Sequence, residues 1–102
     1  MLHLYFISLH TADGFIHFLT TCCEFNSSDL KDIKLIKSYY YNKVEFTRFS
    51  SSVGKHVGYT EVGVKIAEFW NNNTTLLAVM RAQKVRFCLN HARVWYKQRY
   101  SA

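Results

Sequence analysis

Along the first half of the chain, apolar positions fall in short runs of β-branched and aromatic residues separated by turn residues, and along the second half they recur at three- and four-residue spacing. Residues 15–25 are rich in Phe, Ile, Thr and Cys with no helix punctuation, which predicts a strand because such side chains fit a pleated surface. Asn26-Ser27-Ser28-Asp29 is a turn cluster, and residues 33–41 predict a second strand in which Lys34 and Lys37 interrupt apolar neighbours. Asn42-Lys43 makes a short turn into a third strand, residues 44–49, and Gly54 and Gly58 bracket a short fourth. After Thr60 the period changes: Leu77, Met80, Lys84, Phe87 (or Cys88) and His91 lie on one helical face. Thr60 is the expected N-cap, and Asn71-Asn72-Asn73 marks a break between two helical segments. The expectation is an α+β fold, a four-stranded antiparallel sheet followed by a long broken helix lying across it.

The apolar run at residues 2–9 precedes this pattern. It reads as the remnant of a truncated or degenerate signal peptide or leader over residues 1–12, since no Lys or Arg precedes Lys31 and His10-Thr11-Ala12 is a poor cleavage site, with an extra buried strand or a disordered arm as the alternative. With 102 residues the chain accommodates one domain. A content of 49% hydrophobic and 20% charged residues fits a globular core and excludes intrinsic disorder.

Thirteen Lys and Arg against seven Asp and Glu give a formal charge of +6, which raises nucleic acid or an acidic partner. The basic residues alternate with acids or apolar residues, as on a solvated face, so a small basic nucleic-acid-binding protein is the runner-up reading. Three cysteines and the sequons starting at Asn26, Asn72 and Asn73 point to the secretory route instead. Asn26, in a turn after a strand, is the best-placed glycan acceptor, and at most one of Asn72 and Asn73 is expected to be used. A disulfide from Cys22 or Cys23 to Cys88 would close a loop of about 65 residues and stabilise by roughly 4 kcal/mol in the chain-entropy model. A metal site from Cys88, His91 and the cysteine pair is the weaker alternative, because adjacent cysteines do not match zinc-ligand spacing. A Cys88–His91 nucleophile lacks an orienting group, and Gly54, Gly58 and Gly63 form no phosphate-binding loop. No cofactor or metal is expected.

From the third strand onward the residues become specific. The run Tyr41-Asn42-Lys43-Val44-Glu45-Phe46-Thr47-Arg48-Phe49-Ser50-Ser51-Ser52-Val53-Gly54 resembles the Y-N-x-x-E-x-x-R-F-x-S-x-V-G signature of the MHC class II β chain. The likeness continues through Gly58-Tyr59-Thr60-Glu61, Ala67-Glu68-Phe69-Trp70-Asn71, Leu76-Leu77 and Arg81-Ala82 to Cys88, and Ala12-Asp13-Gly14-Phe15 is similar to the mature start of fish-type members. The resemblance implies the peptide-binding β1 domain over residues 13–98, with residues 99–102 starting the connection to an immunoglobulin-like domain. It also implies that the membrane anchor lies outside this chain. The implied partners are a class II α chain in a heterodimer, an antigenic peptide, a T-cell receptor and the invariant chain, in the endosomal and cell-surface compartments. The implied activity is binding and presentation, with no enzymatic step; a class-II-like interaction domain that does not present peptides is an alternative.

The resemblance selects Cys88 as one disulfide partner and favours Cys23 as the other, since 19 residues separate Cys23 from Asn42 as in the fish-type pattern. For the peptide site it implies Trp70 as a donor to a peptide carbonyl, Phe46, Tyr39 and His56 on the floor or in pockets, and Leu76, Val79, Met80 and Gln83 on the overhanging helix face. Two departures stand out. Where members carry C-x-H-N, this chain has Cys88-Leu89-Asn90-His91, so His91 replaces an amide able both to donate and to accept. Ile66 stands where many members carry an Asp paired with an α-chain Arg, which predicts a preference for acidic peptide residues near the peptide C-terminus.

Overall fold

A computed structural model of the chain describes residues 2–12, 15–26 and 29–100. Five antiparallel strands, β1 (Leu2–Ala12), β2 (Phe15–Asn26), β3 (Asp29–Tyr41), β4 (Val44–Ser50) and β5 (Lys55–Gly58), lie side by side in sequence order. An interrupted helix follows as α1 (Glu61–Asn71), α2 (Thr74–Gln83), a π-helical stretch Lys84–Leu89 and α3 (Asn90–Tyr100). The α+β order matches the sequence expectation, but the strand count is five where four are expected. The extra strand is β1, from the stretch read as a leader remnant. It pairs with β2 in unbroken register from Leu2↔Phe25 to Ala12↔Phe15, and Leu2 and Leu4 pack against the core. Among the described residues no helix is long and apolar enough to cross a membrane.

The hairpin between β3 and β4 closes through Asn42 and Lys43, whose φ angles are 49° and 67°. Positive φ at both central residues defines the two-residue turn whose twist matches that of the flanking strands. Asn tolerates this conformation easily, and Lys43 less so.

The sheet buries one face under the helix. Cys23 and Phe25 of β2, Ile33 and Leu35 of β3 and Phe49 of β4 meet Leu77, Met80, Cys88 and Ala92. Cys23 and Cys88, both fully buried, are joined by a disulfide, and Cys22 on the opposite face of β2 is the buried free thiol. The bridge takes Cys23 and Cys88, two of the three thiolates that a metal site with His91 would draw on. The π-helical stretch explains which residue follows Met80 on the buried face. At about 100° per residue, Cys88 would sit roughly 80° away from Met80 in an unbroken α-helix. The wider i→i+5 turn slows the rotation and returns Cys88, not Phe87, to the sheet.

Both expected helix signals are present. Thr60 Oγ1 accepts from the Gly63 N–H at 2.9 Å, and Asn73 Oδ1 accepts from the Leu76 N–H at 3.0 Å, restarting the helix after Asn72. Gly63 lets α1 approach the sheet, since a Cβ there would collide with the Phe46 carbonyl, and a Cβ on Gly58 would strike the Val64 backbone. Thr47, fully buried, donates from Oγ1 to the Gly63 carbonyl at 3.0 Å across the same contact.

Candidate functional site

Strand alternation places Tyr39 on the helix side of β3 and His56 on the same side of β5, where α1 brings Trp70 over both. The Tyr39 and Trp70 ring centroids are 4.9 Å apart, those of His56 and Trp70 5.0 Å, and those of Tyr39 and Phe46 6.4 Å. Phe49 closes the cluster from below, 5.2 Å from His56. Burial pushes the Tyr39 phenol up to about 12, so it stays protonated throughout the physiological range.

His56 is held by Asn71 at the end of α1. Asn71 Oδ1 accepts from the His56 backbone N–H at 2.8 Å and from ring Nδ1 at 3.1 Å, and its Nδ2 donates to the His56 carbonyl at 2.9 Å. The accepting oxygen fixes the proton on Nδ1 in the neutral ring. Burial lowers the His56 pKa, the Asn71 contact partly opposes this, and the charge of Lys37 lowers it further.

Two cavities flank this cluster. One of about 510 Å³ lies at the β3–β4 turn end, between His17, Val44 and Phe46 of the sheet and Val62 and Ile66 of α1, and its wall is almost wholly apolar. The other, about 600 Å³, lies between Phe6 and Thr21 of the sheet and Gln83, Arg86 and Phe87 of the helix, with Lys37 on its floor. Lys37 corrects the expectation of a solvated strand face: it is half-buried beneath the helix, and its Nζ donates to Gln83 Oε1 at 2.9 Å. Burial lowers its pKa. The alternation of β3 puts Leu35, Lys37 and Tyr39 on one face, a period-2 signal that the reading of a solvated basic face did not use.

The expected site residues thus divide. Phe46 and Ile66 line the first cavity and Gln83 the second, Tyr39 and Trp70 stand in ring contact on the helix side of the sheet, and His56 is buried beneath them at 4% exposure. Leu76 is half-buried against the core, Met80 is a core residue at 4% exposure, and Val79 points outward at 53%. Asn90 and His91 are exposed on the helix with their N–H groups engaged. Asn90 Nδ2 donates to the Arg86 carbonyl at 3.0 Å, and His91 Nδ1 to the Phe87 carbonyl at 2.7 Å. The His91 ring also packs on Phe6 of β1, centroids 4.8 Å apart. Asn73 is exposed, with its carbonyl oxygen serving as the α2 cap; Asn26 is exposed, and Ser27 and Ser28 of its sequon lie outside the described residues.

Comparison with known proteins converges on one family. The family model described as class II histocompatibility antigen, beta domain, matches residues 1–96. The human HLA class II DP beta 1 chain is 37% identical over 67 residues, 66% of this chain and 24% of that one. The human DR beta 3 chain is 34% identical over the same shares. The mouse H-2 class II E-D beta chain is 31% identical over 78 residues, 76% of this chain and 29% of its own length. The chain therefore spans about a quarter of the length of these relatives. With its sheet, broken helix and strand-to-helix disulfide, this chain belongs to the class II histocompatibility antigen β-chain family and carries that family's β domain.

Proposed function

We propose that this domain is the β half of a peptide-presenting platform. It pairs with a class II α chain, holds an antigenic peptide in extended form and displays it to T-cell receptors, with the invariant chain as an assembly partner. It works as a lumenal and cell-surface domain, a binding module with no catalytic step, and Asn26 and Asn73 are its glycan acceptors.

One observation carries this reading: the helix-facing side of the sheet bears an aromatic cluster of Tyr39, His56 and Trp70 and two separate cavities between sheet and helix. The Trp70 indole N–H has no hydrogen-bond partner among the described residues. A protein that accepts many peptide sequences must grip the main chain and let pockets select side chains. Trp70 supplies the main-chain donor. The cavity at Phe46 and Ile66 takes an apolar side chain or, with an α-chain Arg left unpaired by Ile66, the end of an acidic one. Lys37 and Arg86 make the second cavity cationic and favour Asp or Glu there.

The test uses the heterodimer with a labelled peptide and compares wild type with Trp70→Phe, which keeps the ring and removes the N–H. Loss of one net hydrogen bond of about 1 kcal/mol shortens the complex half-life roughly fivefold. An unchanged half-life refutes the donor role. A non-presenting interaction domain is the second reading, favoured by the engagement of the Asn90 and His91 N–H groups with helix carbonyls. Restoring the family order with Asn90→His/His91→Asn lengthens peptide half-life on the presenting reading and does nothing on the other.

A further inference from the structure

A sheet can be extended only along an edge whose backbone groups are free. At β5, the short edge, the outward N–H and C=O of His56 are both bonded by the Asn71 side chain, and α1 packs alongside. The long edge is on the other side, where β1 covers β2 along its whole length. The two strands are held very differently. β2 carries Cys23 and Phe25, both fully buried, and is tied covalently to the helix. Of residues 2–8 in β1 none is buried; Tyr5 and Ile7 are 66% and 71% exposed, and the inward contacts are Leu2 and Leu4 at the core margin and Phe6 on Phe87 and His91.

We propose that β1 is a displaceable strand that caps the β2 edge until a strand of the α-chain partner takes its place. The inference rests on the heterodimer reading above and adds its regulation: the chain holds itself closed before assembly. A backbone ladder carries no side-chain code, so exchanging β1 for another strand keeps the hydrogen bonds of β2 while the disulfide keeps β2 on the helix. β1 also forms a wall of the cationic cavity through Phe6, so its departure opens that cavity as the partner arrives.

The register supplies the test. Tyr5 stands directly opposite Cys22, the buried free thiol, so Tyr5→Cys joins an exposed position of β1 to Cys22 and locks β1 onto β2. The unlocked control is Tyr5→Cys/Cys22→Ser. Peptide mapping confirms the intended bridge and an intact Cys23–Cys88 pair. Each form is mixed with a class II α-chain ectodomain and heterodimer is quantified by native mass spectrometry. The expected result is at least ~10-fold less heterodimer from the locked form, as for a blocked sheet edge. In the wild type, hydrogen exchange shows β1 amides losing protection on assembly while β2 amides keep it. Equal assembly of locked and unlocked forms, or retained β1 protection in the heterodimer, overturns the displacement and leaves the pairing intact. Failure of the wild type and both variants to assemble with any α chain overturns the pairing itself, and the displacement with it.

Discussion

Replacing both Cys23 and Cys88 by alanine removes the covalent tie between β2 and the helix. The bridge closes a loop of 65 residues. In the chain-entropy model such a closure restricts the unfolded chain by an amount equivalent to about 4.3 kcal/mol at 25 °C. Both positions are fully buried, so the missing sulfurs also leave small voids, which adds about 1 kcal/mol. A total near 5 kcal/mol is the whole stability of a domain at the low end of the usual range of roughly 5–15 kcal/mol. Urea titration followed by tryptophan fluorescence measures it, because Trp95 packs edge-on against Phe25 at 5.4 Å and reports the β2–helix contact directly. For a slope of about 2 kcal/mol/M the midpoint falls by about 2.5 M, or the variant is unfolded without denaturant. A fall of less than about 0.5 M with an unchanged slope refutes the reasoning, since the tie would then contribute little to the free-energy difference.

Three further perturbations are quantified by the same titration or by calorimetry. Gly63→Ala forces α1 off the Phe46 carbonyl and destabilises by about 1–3 kcal/mol, whereas an unchanged Tm contradicts the close approach. Lys43→Gly relieves a positive φ of 67° and raises stability by about 0.5–1 kcal/mol; a loss of stability contradicts the turn assignment. His56 has a folded pKa below its ordinary value of 6.5, so the unfolded chain binds the proton more readily. Its contribution is complete above 6.5 and is lost as pH falls below that value towards the folded pKa. Tm therefore drops on acidification, and His56→Gln flattens that part of the profile.

What could be read in the sequence was local. The Thr60 cap, the helix break at Asn71-Asn72-Asn73, the Asn42-Lys43 turn and the strands β2, β4 and β5 each depend on a few neighbouring side chains, and they stand where the pattern places them, while β3 begins at Asp29, four residues before the expected start. Three features depend on longer range. β1 has the composition of a leader, and only its pairing partner β2 makes it a strand. The choice between Phe87 and Cys88 turns on a π-helical stretch that a fixed helical period does not describe. Lys37 looks like part of a solvated basic face, yet its register puts it under the helix, where Gln83 receives it. Met80 satisfies both a groove face and a core face by spacing, and burial at 4% exposure assigns it to the core.

The central claim, that the surface between sheet and helix holds extended peptides, is tested most directly by co-expressing the chain with a class II α chain and analysing acid eluates of the purified heterodimer by mass spectrometry. The expected eluate is a heterogeneous set of peptides enriched in Asp or Glu, with that enrichment weakened by Lys37→Met. An assembled heterodimer that yields no bound peptides contradicts the claim.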